Sequence, residues 1–151
     1  MKNILAVLAF ALGMTACSST SGLSSADRLA LYEAHAGAPV SSFRLTQSFR
    51  WTPLSDDRLA VWTGANQGHL LELRSRCSGL TFASAINITN SMNVVTARFD
   101  SVQPRGQLGA PQQSCRIWTI RPLDGRAIND SKREMREAEA VEREAGVTAE
   151  E

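Results

Sequence analysis

Apolar residues in the middle of the chain recur with a period of two. From Phe43 to Trp51 the odd positions are Phe43, Leu45, Gln47, Phe49 and Trp51, and the even ones are Arg44, Thr46, Ser48 and Arg50. That alternation predicts a half-buried strand. Arg58 to Thr63 is apolar on both parities through Leu59, Ala60, Val61 and Trp62, the pattern of a strand covered on two sides, with Asp56 and Asp57 as turn residues before it. A third run sets Leu71, Leu73 and Cys77 against Glu72, Arg74 and Arg76. It pairs with the second as a hairpin across residues 64 to 68. Further strands are expected over Leu80 to Ile88, over Val94 to Val102 with Val95, Ala97 and Phe99 inward, and over Cys115 to Arg121. The stretch from Pro104 to Gln113, rich in Gly, Pro and Gln, is a loop.

Helical signals are confined to the ends. Ser24 followed by Asp27 three residues later forms a helix start, and Leu29 and Tyr32 then share a face before Gly37 and Pro39 stop the turn. A short helix is expected near Ala26 to Ala36, with His35 at its C-terminal end facing the dipole. The stretch Ser131 to Glu151 is rich in Ala, Glu and Arg and spaces Arg133 to Glu137 and Glu139 to Arg143 for i,i+4 pairs. It has almost no apolar stripe, so it is expected to be a frayed, solvated helix or disordered. The fold class is therefore mainly β within α+β. It is a small antiparallel barrel or sandwich of about six strands, with an N-terminal helix and a charged C-terminal helical or disordered tail.

The first residues carry a different message. Lys2 precedes an uncharged run from Ile4 to Leu12 and then Gly13-Met14-Thr15-Ala16-Cys17. A run of that length is an export signal rather than a bilayer-spanning helix. Met14-Thr15-Ala16-Cys17 resembles the lipobox of bacterial lipoproteins, with Met14 where Leu is usual. That resemblance implies removal of residues 1–16, acylation of Cys17 and attachment to a membrane through lipid, with an ordinary signal peptide and an incidental Cys17 as the alternative. Buried methylenes contribute about 0.8 kcal/mol each, so several acyl chains hold such a protein without a transmembrane helix. Ser18 after the cysteine implies sorting to the periplasmic face of the outer membrane rather than retention in the inner one. Residues 17–25 are then a polar, flexible tether, 26–128 the β-domain and 129–151 the tail.

Composition sharpens this picture only locally. The 151 residues are 43% hydrophobic and 21% charged, which suits one globular domain and excludes collagen-like, coiled-coil or multi-pass membrane chains. Sixteen Lys and Arg face fifteen Asp and Glu, and nothing in that balance calls for nucleic acid as a partner. The charges are nevertheless segregated. Arg44 to Arg121 contains nine Arg, no Lys and four acids, a balance of +5, while Asp124 to Glu151 holds nine acids and five bases, a balance of −4. Arginine's planar fork suits carboxylates and phosphates. A strand face bearing Arg44, Arg50, Arg74, Arg76 and Arg98 is thus a candidate contact for an anionic envelope polymer, a lipid headgroup or another envelope protein. A solvated outer sheet face protected by charge would look the same.

With Cys17 assigned to lipid, Cys77 and Cys115 remain as an even pair in an oxidising compartment, and a structural disulfide follows. A metal or redox role is disfavoured by the absence of Cys-x-x-Cys spacing, and no cofactor or metal site is expected. Trp51, Trp62 and Trp118 lie within apolar strand patterns and are expected in the core rather than along a ligand groove. Adjacent Asp56 and Asp57 would point opposite ways on an extended chain, which argues against paired acid–base work. No nucleophile elbow, phosphate loop or zinc-protease motif is present, so no reaction is suggested.

Trp51, Leu59-Ala60-Val61-Trp62, Leu70-Leu71, Cys77-x-Gly79-Leu80, Asp100 and Cys115-x-Ile117-x-x-Ile120-x-Pro122-x-Asp124 together resemble a domain-of-unknown-function family of small gram-negative envelope proteins, over residues 28 to 128. The resemblance implies an envelope location and the disulfide, and supplies no functional residue. The expected role is that of a lipid-anchored envelope protein that is accessory, binding or structural and not an enzyme. The alternative is a periplasmic inhibitor or ligand-binding small barrel, comparable in architecture to small lipoprotein lysozyme inhibitors, that uses the Arg-rich face.

Overall fold

The computed structural model describes residues 22–106 and 113–148. The elements run α1 (Ser25–Ala34), β1 (Ser42–Arg44), β2 (Arg50–Ser55), β3 (Arg58–Trp62), β4 (Gln67–Leu73), a 3-10 turn (Leu80–Phe82), β5 (Ala85–Ile88), β6 (Val94–Thr96), β7 (Ser101–Arg105), β8 (Cys115–Asp124) and α2 (Gly125–Thr148). Six strands in the order β2-β3-β4-β8-β7-β5 form a curled antiparallel half-barrel, and β1 and β6 form a separate two-stranded sheet. The expected mainly β architecture with an N-terminal helix is what the chain adopts.

Alternating residues of the same strands feed two cores. Leu59, Val61, Leu71, Leu73, Ile117 and Ile120 enter the concave core, where Phe43 of β1 and Val95 of β6 cover them. Ala60, Leu70 and Leu123 face the other way and pack against Leu31 and Tyr32 of α1 and Ile128 of α2. That two-sided burial is why β3 reads as continuously apolar. Gly68 sits opposite Trp62 on β3. A Cβ there would lie 2.5 Å from the indole, so glycine is what lets the ring lie against the strand.

The ends are joined by specific contacts. Ser24 caps α1, accepting from the Asp27 amide at 3.1 Å and donating to its carboxylate at 2.6 Å. The helix runs from Ser25 to Ala34, shifted by a residue or two from expectation. His35 meets Ser131 of α2 at 3.0 Å, so its role is to link the two helices. The segment after α1 runs along β8 through bridges at Ala36–Leu123 and Val40–Ile120. Arg121 fastens it by donating to the carbonyls of Ala36 and Gly37, each at 2.8 Å.

Three expected strands are each divided. Phe43 to Trp51 is not one strand: β1 ends at Arg44 and β2 begins at Arg50, with a turn at Gln47 and Ser48. Each half alternates by itself, so the turn between them leaves the period intact. Leu80 to Ile88 splits into the 3-10 turn and β5, and Val94 to Val102 into β6 and β7. In the last case Asp100 makes the turn. Its carboxylate accepts from the Thr96 amide at 2.7 Å and the Thr89 hydroxyl at 2.8 Å, and its amide donates to the Thr96 carbonyl at 3.0 Å. Pro104 and Arg105, expected in a loop, belong to β7, and β8 extends three residues past Arg121. The tail is helical from Gly125 and docked through Ile128, although residues 133–142 are exposed.

Cys77 and Cys115 form a disulfide with Cα atoms 5.7 Å apart, both buried in the concave core. Cys77 lies in the loop after β4 rather than within a strand, so the bond ties that loop to the start of β8. Closing a loop of this span, 38 residues, stabilises the fold by about 4 kcal/mol in the chain-entropy description. Replacing both cysteines by Ala is therefore expected to lower the unfolding free energy by about 3–4 kcal/mol. Urea unfolding with and without reductant checks this. Reductant should shift the wild-type midpoint and leave that of the double variant unchanged.

Candidate functional site

The most distinctive surface feature arises where β8 meets β4. Leu73 pairs with Ile117 and Glu72 with Thr119, which leaves Trp118 as an extra residue on β8. A bulge of this kind bends the strand and re-aims a side chain. Here it allows Ile117 and Ile120 both to enter the concave core, though their spacing has the wrong parity for a regular strand. Trp118 is left outside, 41% exposed. The expectation that Trp118 packs in the core is thus corrected. Trp51 and Trp62 are half-buried against the two cores as expected.

Two guanidinium groups meet this ring. The Cζ of Arg98 lies 4.8 Å from the Trp118 ring centre and that of Arg74 lies 5.6 Å from it, within the range of cation–π attraction. Arg98 is held there by its backbone, which adopts φ 70°, a left-handed conformation that costs a non-glycine residue about 1 kcal/mol or more. The conformation is imposed from both sides. The Arg98 amide donates to the Ile117 carbonyl at 2.7 Å, and its carbonyl accepts from Arg116 at 2.8 Å. Val40 is tied to Ile120 and Ala97 to Ser41 by further backbone bonds of 2.8 and 2.9 Å.

These segments bound a groove of about 420 Å³ that includes Val40, Ala97, Arg98, Phe99 and Trp118. Phe99 was expected inward on a strand. The turn made by Asp100 instead places it on the groove rim, 79% exposed. Of the side chains lining the groove, Arg98 alone is ionisable. The groove therefore presents aromatic and apolar surface beside fixed positive charge. This arrangement is suited to holding a planar or apolar ligand that carries an anionic group.

The other expected arginines are placed differently. Arg76, although exposed, donates to Asp56. Arg44 is exposed on β1 and Arg50 opens the edge strand β2. Of the five residues of the expected Arg face, the structure brings Arg74 and Arg98 together and carries Arg44 and Arg50 on other elements. Arg58 is structural. It contacts Glu33 at 3.2 Å, Asp57 at 2.7 Å and Glu72 at 2.9 Å, joining α1 to two strands. Partial burial works against ionisation of Asp57, but hydrogen bonds from Ser55 and Arg58 and the charge of Arg58 outweigh it and hold the carboxyl below its usual range. Asp56 and Asp57 are turn residues as expected. Cys17 lies outside the described residues. Among the described residues no three His, Cys, Asp or Glu side chains gather as metal ligands, and no helix is long and apolar enough to cross a membrane.

A family model described as a family of unknown function, DUF6491, matches residues 1–139. The chain belongs to this family. The match begins at residue 1 and ends at residue 139, a wider span than residues 28 to 128. No curated protein and no solved structure matches the chain. Membership in DUF6491 thus brings no assigned residue, and the groove at Trp118 stands on its geometry.

One further group has an unusual setting. His69 on β4 stacks on Phe43 with ring centres 4.3 Å apart and planes 19° apart. Its Nδ1 is buried without a hydrogen-bond partner among the described residues. Burial pushes the imidazole below its ordinary value, so the fold favours the neutral ring. The unfolded chain takes up the proton first as pH falls through about 6.5, and from there stability declines until the lowered folded value is passed. Thermal unfolding between about pH 7 and 5 should show this decline in the wild type and a flatter profile in His69→Leu. Parallel profiles would refute it.

Proposed function

We propose that this DUF6491 protein is a lipid-anchored cell-envelope protein with a binding role, attached through Cys17 and holding an anionic envelope polymer in the Trp118 groove. The observation that carries the binding role is the bulge in β8. It exposes a tryptophan at the cost of regular pairing, and two arginines from separate elements converge on it. The bulge that lets Ile117 and Ile120 share one core leaves this ring at the surface beside two guanidinium groups, where a ligand can meet all three. The aromatic face suits the apolar face of a sugar ring and the guanidinium groups suit its carboxylates. This chemistry favours an acidic saccharide over a neutral one.

The anchor rests on the lipobox-like segment ending in Cys17, on Ser18 for placement at the periplasmic face of the outer membrane, and on the disulfide, which fits an oxidising compartment. Globomycin sensitivity and palmitate labelling at Cys17 test it, and an unacylated mature protein would overturn it. The groove also supports a second reading, in which a protein partner inserts an acidic, apolar segment beside Phe99, as an inhibitor complex would. Strong capture of an envelope protein with no affinity for acidic glycan would favour that reading.

The binding role is testable with polygalacturonate as an acidic glycan and dextran as a neutral control, following tryptophan emission. Charge-assisted hydrogen bonds contribute roughly 1.5–3 kcal/mol each, so Arg98→Gly is expected to weaken polygalacturonate binding by about tenfold or more. The same change relieves a left-handed residue and should leave thermal stability equal or higher. Trp118→Ala should weaken binding comparably, whereas Arg50→Gln should not. Equal affinity for the acidic and neutral polymers would overturn the role.

A further inference from the structure

A second cavity of about 420 Å³ lies between α1 and α2, away from the groove, and is lined by Arg28, Tyr32, Lys132, Met135, Arg136 and Glu139 together with Gly22 and Leu23. Three of these side chains are cationic and one is acidic. Lys132 is held in place rather than free. Its Nζ is 3.1 Å from the Tyr32 hydroxyl and 4.9 Å from the centre of that ring, and Tyr32 is itself buried against Trp62. Neither Arg28 nor Arg136 forms an ion pair among the described residues, whereas Arg133 on another face of α2 pairs with Asp130 at 3.0 Å. Arg133 is thus engaged away from the cavity, whose own lining carries three cationic side chains against the single acid Glu139. Leu23 and Met135 give it an apolar rim.

The cavity is also where the described domain begins. Gly22 lies five positions after Cys17, and a fully extended chain spans at most about 3.6 Å per residue. An acylated Cys17 would therefore keep the cavity within about 18 Å of the membrane surface. We propose that the α1–α2 cavity is a membrane-facing seat for an anionic phospholipid headgroup. Arg28, Lys132 and Arg136 would meet its phosphate, and Leu23 and Met135 the start of its acyl chains. This rests on the lipid-anchor reading for the orientation of the domain, and not on the polymer-binding reading of the groove. Cationic side chains near an anionic bilayer each add several-fold to the attraction. Together the three residues would favour a docked orientation by on the order of a hundredfold.

The test uses protein purified from cell membranes and placed on vesicles of phosphatidylcholine with or without phosphatidylglycerol, with the mass of the first peptide read separately for acylation of Cys17. Amide hydrogen exchange over residues 132–139 is expected to slow by about tenfold or more on vesicles containing phosphatidylglycerol. The protection should be lost in Arg28→Glu/Arg136→Glu, whose exposed sites should leave thermal unfolding unchanged, and kept in Arg74→Glu. Identical exchange on both vesicle types, with Cys17 acylated, would overturn the seat and spare the anchor. An unacylated Cys17 with phosphatidylglycerol-dependent protection intact would overturn the anchor and spare the seat. Equal protection by free glycerol phosphate on phosphatidylcholine vesicles would overturn the lipid assignment in favour of a soluble phosphate.

Discussion

The single extra residue in β8 is the constraint on which much of the molecule depends. β8 pairs with β4 along most of its length, joins β7 near Cys115, and carries the Ala36–Val40 segment on its other edge. It must also supply Ile117 and Ile120 to one core and Leu123 to the other. A regular strand cannot present residues three apart on one face, because side chains alternate. The bulge resolves this conflict. It lets β8 fill both cores and places Trp118 outside as a consequence of the pairing geometry.

The same geometry accounts for how the arginines are spent. Arg121 and Arg116 donate hydrogen bonds to backbone carbonyls where irregular chain runs beside β8, and Arg58 gathers three carboxylates from α1, the β2–β3 turn and β4. These are structural uses, in which a rigid fork satisfies several acceptors at once. Arg74 and Arg98 lean on an aromatic face instead, which leaves their donors available to a ligand. The local excess of positive charge is therefore divided between fastening the sheet and furnishing the groove.

The two proposed contact regions follow from separate layers of the fold. The groove is formed where the two-stranded sheet meets β8 of the half-barrel, and its walls are held by backbone hydrogen bonds. The cavity is formed where α1 and α2 cross the opposite face of the sheet, next to the start of the domain. A protein attached at that start could engage a membrane with its helical side and present the groove elsewhere. Both regions draw on the same chemistry, guanidinium or ammonium groups steadied by an aromatic ring.

Several features were decided locally and could be read from residue order alone. The period-two runs specified strands because alternation is a property of the extended backbone. Ser24 and Asp27 specified the start of α1 because a cap needs only neighbours in the chain. The two-sided burial of β3 and the pairing of Cys77 with Cys115 were likewise legible, from apolar content on both parities and from an even count of remaining cysteines. The breaks within strands were not, since a turn that preserves parity leaves no mark on the pattern. Nor were the exposure of Trp118 and Phe99 or the meeting of Arg74 with Arg98. Those depend on how β8 registers against β4 and on the left-handed turn at Arg98, which are fixed by contacts between residues distant in sequence. Local patterning determined the elements and the staple, and long-range register alone decided which side chains were left at the surface.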